Sequence, residues 1–228
     1  MRHARTPTEL TLTEEFFLVA LDDATGRPMI GRDALGAGLA GAAIATLLLA
    51  GRAAVHDAML VATDGDPVDD PICDPLLAGL RRERRQPVGA WIALMRDGLP
   101  AIVAEDLEAL GVLRTVRVRQ VVTRRTVARF PADDPVRAVG PRVRLGYALG
   151  RPVAVDDRTA VLAQIVRATG MDRWFVTMFG PVVRNRLAAL AQRMDPQLGV
   201  VVTAISEPAP QARPTIRLWP QRDTSVAW

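Results

Sequence analysis

The stretch Ala34–Gly51, ALGAGLAGAAIATLLLAG, constrains this chain more than any other. It is 18 residues long without a charge, bounded by Asp33 and Arg52. Its apolar residues keep to no single face. A helix of that kind is buried on every side, in a protein core or in lipid. Asp33 is the expected N-cap, since its carboxylate can accept from the free N–H groups of the first turn. Gly51 is the expected C′ residue, free to turn left-handed without a Cβ clash. Gly36, Gly38 and Gly41 each cost roughly 1 kcal/mol of helix propensity against alanine. Their presence predicts close approach by neighbouring helices.

Two other readings of the stretch fail on context. A membrane span needs about 20 apolar residues to cross ~30 Å of hydrocarbon; this run is at the lower edge, no second run accompanies it, and no aromatic belt flanks it. Gly36-Ala-Gly38-Leu-Ala-Gly41 spells the dinucleotide fingerprint, and Asp57 follows as a ribose ligand would. That fingerprint needs a dry strand immediately before it. Here Arg32 and Asp33 stand in the strand's place, and no βαβαβ pattern follows. The stretch is therefore read as a central core helix with the other elements wrapped around it.

The 228-residue chain has room for one large domain or two small ones. All 29 basic residues are arginine, which with the Ala, Gly and Val usage suggests a GC-rich bacterial genome. The net charge of +4 permits an anionic partner. Cys73 is the single cysteine, so no intramolecular disulfide or thiolate metal cluster is available, and a reducing cytoplasm is the expected compartment. No signal-peptide core follows the basic start. Residues 1–9 are expected to be flexible, 10–206 to form the domain, and the proline-containing 207–228 to be a tail, ordered only if it packs elsewhere.

Along the chain, Thr11 and Glu14 have capping-box spacing ahead of a short helix carrying Phe16, Phe17 and Leu18. Asp22–Gly26 is a turn. Ala53–His56 and Met59–Thr63 predict a hairpin around Asp57-Ala58. Asp74-Pro75 predicts a helix start with proline at the first position. Trp91, Ile92 and Met95 predict a short amphipathic helix, and Val103, Leu107 and Leu110 another, stopped by Gly111. Val112–Phe130 predicts a β-hairpin holding Arg114, Arg117, Arg119, Arg124, Arg125 and Arg129, with no acid from Ala109 to Ala132. Val136–Leu149 is helical but weakened at Gly140-Pro141. Asp156-Asp157 caps a further helix, Trp174–Phe179 is apolar and ambiguous, and Pro181–Met194 and Leu198–Ile205 are helical.

Catalytic chemistry is sparse. His3 and His56 are the only histidines, and no Walker, zincin or nucleophile-elbow motif is present. Cys73 reads as a small buried apolar residue, and His56 as a turn or core histidine. The five acids of Asp64–Asp74 lack the terminal glutamate of an EF-hand and read as a solvated loop. The chain is expected to be no enzyme and to need no cofactor or metal.

The elements in this order resemble the Golgi phosphoprotein 3 family. The resembling residues are Leu12-Thr13-Glu14-Glu15, Ala20–Gly26, Gly38-Leu39-Ala40-Gly41, Leu47–Arg52, Asp74–Leu77, Trp91-Ile92, Leu107–Leu113 and Asp156–Ala160. The resemblance implies a mainly α fold: a single globular domain, a central buried helix ringed by amphipathic helices, and short β-hairpins, one of them projecting. It also implies peripheral membrane binding through phosphatidylinositol 4-phosphate and a grip on the cytosolic tails of membrane enzymes. The family's lipid pocket uses a tryptophan and three arginines. The matching positions here are Gly31, Ala40, Gly98 and Ala101, so none is kept. Replacement donors would have to be Arg27, Arg32 and Arg96, because phosphate recognition needs forked cationic donors.

The expected function is binding of anionic phospholipid at the inner face of the cell membrane, with Arg117, Arg119, Arg124 and Arg125 of the hairpin as the membrane contact. A winged-helix nucleic-acid binder is the alternative, since Ile102–Leu110 and the basic hairpin follow each other as a recognition helix and wing would. Glu105, Asp106 and Glu108 on that helix oppose it, and no nucleic acid is expected. A scaffold or homo-oligomer holding enzyme tails is a further alternative.

Overall fold

The computed structural model describes residues 9–83, 85–119, 126–208 and 216–219. The chain enters through α1 (Leu12–Val19), closed by the predicted capping box. Thr11 Oγ1 accepts from the Glu14 N–H at 3.2 Å, and the Glu14 carboxylate accepts from the Thr11 N–H at 2.6 Å. Every residue of α1 is buried, the two glutamates included.

Next comes α2 (Arg32–Leu49), the predicted core helix. Its N-cap is Gly31 rather than Asp33, which instead sits in the first turn, where its charge still suits the helix dipole. The far end is as expected. Gly51 adopts φ 64°, its N–H donates to the Leu48 carbonyl at 3.0 Å, and the Arg52 N–H donates to that of Leu47 at 2.8 Å. These two bonds form a Schellman stop. By length and composition α2 could cross a bilayer, yet α1 and five later helices close around it, and most of it is buried.

The hairpin β1 (Ala53–His56) and β2 (Met59–Ala62) turns through Asp57 and Ala58, both left-handed at φ 52° and 61°, the geometry that matches strand twist. A short β3 (Gln86–Pro87), absent from the sequence reading, adds to the other edge of β2. Between them α3 (Cys73–Arg82) starts before the predicted Asp74-Pro75. The cap is Asp70, whose Oδ1 accepts from the N–H groups of Ile72 and Cys73 at 2.8 and 2.7 Å.

Trp91 and Ile92 lie on α4 (Val88–Met95), which is buried nearly all round rather than amphipathic. It is held between α2 and α10 (Pro196–Ser206). The helix α5 (Leu99–Ala109) stops at Gly111, φ 66°. It leads into β4 (Val116–Arg119) and β5 (Thr126–Arg129), an antiparallel pair. Then α6 (Pro135–Gly150) runs unbroken through Gly140-Pro141. Proline there removes one backbone donor, and packing against α1 and α7 (Asp157–Ala168) holds the helix together. The ambiguous Trp174–Phe179 is helical, as α8 (Asp172–Phe179), and α9 (Val182–Arg193) follows.

The layers follow from these contacts. Around α2 stand α1, α3, α4, α5, α7 and α10, while α6, α8 and α9 form an outer corner. The glycines of α2 permit the inner ring. A Cβ on Gly36 would lie 2.0 Å from the Arg96 carbonyl oxygen at the end of α4. One on Gly38 would lie 2.3 Å from the Phe16 ring of α1, and one on Gly41 2.4 Å from Ile205 of α10.

Polar groups tie the outer layer on. Arg142 of α6 is buried; it donates to Asp23 at 2.6 Å and to the Val19 carbonyl at 3.1 Å, and lies 5.1 Å from the Trp174 ring centre. Burial lowers its pKa, and Asp23 and Asp22 oppose the shift. Glu15 pairs with Arg144 and, at 3.2 Å, with Arg158. The Gln164 amide of α7 donates to the Leu187 carbonyl of α9 at 2.8 Å. Residues 216–219 return to α3. Ile216 and Leu218 lie against Gly79, and the Trp219 indole N–H donates to the Pro71 carbonyl at 3.4 Å.

Gly36→Ala and Gly38→Ala should each lower the melting temperature. Helix propensity alone favours alanine by about 1 kcal/mol, whereas overpacking costs about 1–3 kcal/mol and each kcal/mol moves Tm by about 2–4 °C at this size. Thermal melts read the sign; a rise in Tm for either variant would contradict the close packing. Asp156→Ala should cost about 1 kcal/mol at neutral pH as a lost N-cap. The Asp156 carboxylate, 2.6 Å from the Thr159 N–H it accepts, is held below the ordinary carboxylate range chiefly by that bond. Its contribution is therefore present above about pH 4 and lost as pH falls through the lowered value. The gap in stability between parent and variant should shrink on acidification; a pH-independent gap would contradict this.

Candidate lipid-binding surface

The three arginines proposed as replacement phosphate donors are placed differently. Arg27 is exposed in the loop after α1, where its carbonyl accepts from the Asp22 N–H at 2.7 Å. Arg32 is the first residue of α2 and half-buried. Arg96 caps the C-terminus of α4. Its side chain is 26% exposed and lies 3.7 Å from Asp97, and its Nε is buried without a hydrogen bond.

Only Arg96 of the three lines the cavity of about 820 Å³ between α2, α4 and α10. Asp33, Thr169, Thr203 and Glu207 share the lining. The start of α2 brings its dipole's positive end here, and Gly31 supplies no side-chain cap. Against this stand, among the described residues, two carboxylates and one guanidinium. Such a site offers an anion a weak field, and no bidentate clamp of the kind that fixes a phosphomonoester.

The four positions of the expected family pocket explain themselves locally. Gly31 is the exposed N-cap of α2, and Gly98 and Ala101 are half-buried around the start of α5. Ala40 is fully buried in the core.

The hairpin is a different kind of surface. Its register pairs Val116 with Arg129, Arg117 with Ala128, Val118 with Val127 and Arg119 with Thr126. Side chains alternate across a strand, so Arg117 and Arg119 share one face with Thr126, and the three valines share the other. Both arginines are exposed. Arg114 at the base is held by Asp133 at 2.5 Å. Arg124 and Arg125 lie outside the described residues. Phe130 anchors the hairpin by its ring, edge-on to Phe17 at 5.2 Å. Its backbone N–H donates to the Gly26 carbonyl at 2.8 Å, and a Cβ on Gly26 (φ 63°) would strike the Phe130 backbone at 2.4 Å.

Other candidates carry less. The Cys73 thiol is fully buried, donates to the Ala43 carbonyl at 3.6 Å, and has its pKa pushed well up by desolvation, so it is no thiolate nucleophile. His56 is exposed at the end of β1. Within the acidic loop, Asp70 and Asp74 accept backbone N–H groups, and among the described residues no cluster suits a metal ion. Glu105 and Glu108 of α5 are exposed, where a nucleic-acid recognition helix would need cations.

The sequence reading missed an exposed apolar corner on α6, α8 and α9. Val143 and Tyr147 project from α6 and Met178 and Phe179 from α8, with Val182 at the start of α9. The signal was available as Val136, Gly140, Val143, Tyr147 and Gly150, an alternating four-and-three spacing along one helix face.

Comparison with known proteins agrees with this architecture. The family model described as Golgi phosphoprotein 3 (GPP34) matches residues 12–208. No curated protein matches the chain. The matched span runs from the first residue of α1 to just past the end of α10 and takes in the buried helix, its ring and the basic hairpin. The chain belongs to the Golgi phosphoprotein 3 family.

Proposed function

We propose that this protein is a non-enzymatic peripheral membrane protein that binds anionic phospholipid by charge, at the inner face of the cell membrane, without selecting phosphatidylinositol 4-phosphate. The observation that carries the reading is the hairpin. Arg117 and Arg119 stand exposed on one face of it, and no acid interrupts the chain from Ala109 to Ala132. Family membership supplies the context of a lipid-binding fold. The want of selectivity follows from the pocket positions, occupied by Gly31, Ala40, Gly98 and Ala101.

Each arginine near an anionic leaflet contributes about 1 kcal/mol, so Arg117, Arg119, Arg124 and Arg125 together account for roughly three orders of magnitude in affinity. That field counts charge without reading headgroup shape, and it fades over ~8 Å at physiological salt. Tails of membrane enzymes are a second class of partner that the family fold makes reasonable. They would meet the protein on a surface already held at the membrane.

Co-sedimentation with vesicles tests this. Replacing Arg117, Arg119, Arg124 and Arg125 by Ser should abolish binding to phosphatidylglycerol vesicles, while Arg32→Ser should do little. Vesicles of matched charge, with and without phosphatidylinositol 4-phosphate, should pellet the protein equally. A tenfold preference for the phosphoinositide at equal charge, lost in Arg32→Ser or Arg96→Ser, would contradict the proposal.

A further inference from the structure

We propose that the corner where α6, α8 and α9 meet inserts into the interface of an anionic bilayer, seating Val143, Tyr147, Met178, Phe179 and Val182 among the upper acyl chains. The inference rests on the membrane-binding reading above and adds to it a surface separate from the basic hairpin, built on α6, α8 and α9. These five side chains are 62, 52, 61, 43 and 46% exposed. They are neighbours, not scattered. The Phe179 ring lies over Gly146 and Gly150, where a Cβ on Gly146 would come within 2.7 Å of it. Tyr147 follows Gly146 directly, and Val143 is one turn back on α6. Gly180, at φ 83°, turns the chain so that α9 starts with Val182 two residues on. Contiguous apolar surface of this kind marks an interaction site.

The charges around the corner choose the occupant. Neither α6 nor α9 contains an acid, and the single acid of α8, Asp172, is its first residue, at the opposite end from Met178 and Phe179. Arg151, directly after α6, and Arg184 of α9 are exposed here, while Arg144 is paired with Glu15 and Arg173 lies at the same end of α8 as Asp172. Arg151 stacks over the Tyr147 ring at 4.8 Å. A second copy docked face to face through a two-fold axis would set these arginines against their own kind. An anionic leaflet meets both properties at once: phosphates for the guanidiniums and acyl chains for the apolar side chains. Aromatic and aliphatic groups bounded by arginine are the composition of an interfacial surface, which sinks about 5–10 Å below the headgroups, and arginine stems extend up from such a depth.

The test uses the full chain with a fluorescent reporter. Cys73 is fully buried, so Met178→Cys provides one accessible thiol for an environment-sensitive label, and Asp66→Cys, in the exposed acidic loop, provides the control. Phosphatidylglycerol vesicles are added, and co-sedimentation is measured on the same samples. The expected result is a blue shift at position 178, quenched by lipids carrying a nitroxide high on the acyl chain, with no shift at position 66. Val143→Ser with Met178→Ser, both at exposed sites, should weaken vesicle binding at least tenfold while leaving the melting temperature unchanged. Binding without a shift at 178 would overturn the insertion and leave charge-driven binding standing. No pelleting of the unlabelled parent protein would overturn both. A shift at 178 that needs no vesicles and grows with protein concentration would overturn it in favour of a second copy.

Discussion

The approach of three helices to the glycines of α2 is the constraint on which the rest of the structure depends. Gly36 admits the Arg96 carbonyl at the end of α4, Gly38 admits Phe16 of α1, and Gly41 admits Ile205 of α10. Any side chain on these positions would push the inner ring outward, since interiors are packed too tightly to absorb it. The positions of α4 and α10 in turn fix the cavity between them and α2. The position of α1 fixes where the hairpin is anchored, through Phe17 against Phe130. The three glycines lower helix propensity, and tertiary packing offsets that loss.

The residues by which the chain resembles its family turn out to serve the fold. Thr11 and Glu14 cap α1, and Glu15 holds Arg144 and Arg158. In the Asp22–Gly26 turn, Asp22 accepts from Thr25, Asp23 pairs with Arg142, and Gly26 lies against the base of the hairpin. Gly51 ends α2, Arg52 donates to the Asp66 carbonyl at 2.8 Å, and Asp156 caps α7. None of these contacts reads a ligand. The architecture thus stands with Gly31, Ala40, Gly98 and Ala101 at the positions that the resemblance matches to the family's pocket. In the proposed reading, what is left for an anionic partner is the surface charge of the hairpin.

Much of this was legible beforehand. The core helix, its C-terminal glycine, the capping box, the hairpins and most helix spans follow from local pattern, because caps and periodicity are local physics. The misses have tertiary causes. The start of α3 is set by Asp70, which reaches forward to cap it. Burial of α4 on nearly all sides depends on α10, more than a hundred residues later in the chain. Continuity of α6 through Pro141 depends on the helices it packs against. Of the candidate site, the arginine clustering was readable at once. Which of Arg27, Arg32 and Arg96 faces a cavity was not, since loop and helix-end positions carry no periodicity to fix their direction.

The central claim is that this family member meets anionic membranes by its exposed surface and not by a headgroup pocket. Hydrogen–deuterium exchange on phosphatidylglycerol vesicles containing phosphatidylinositol 4-phosphate tests it most directly, because it reports every segment at once. The account predicts slowed exchange in β4 and β5, with α4 and α10 unchanged around the cavity. Slowed exchange in α4 and α10, with the hairpin unaffected, would contradict it.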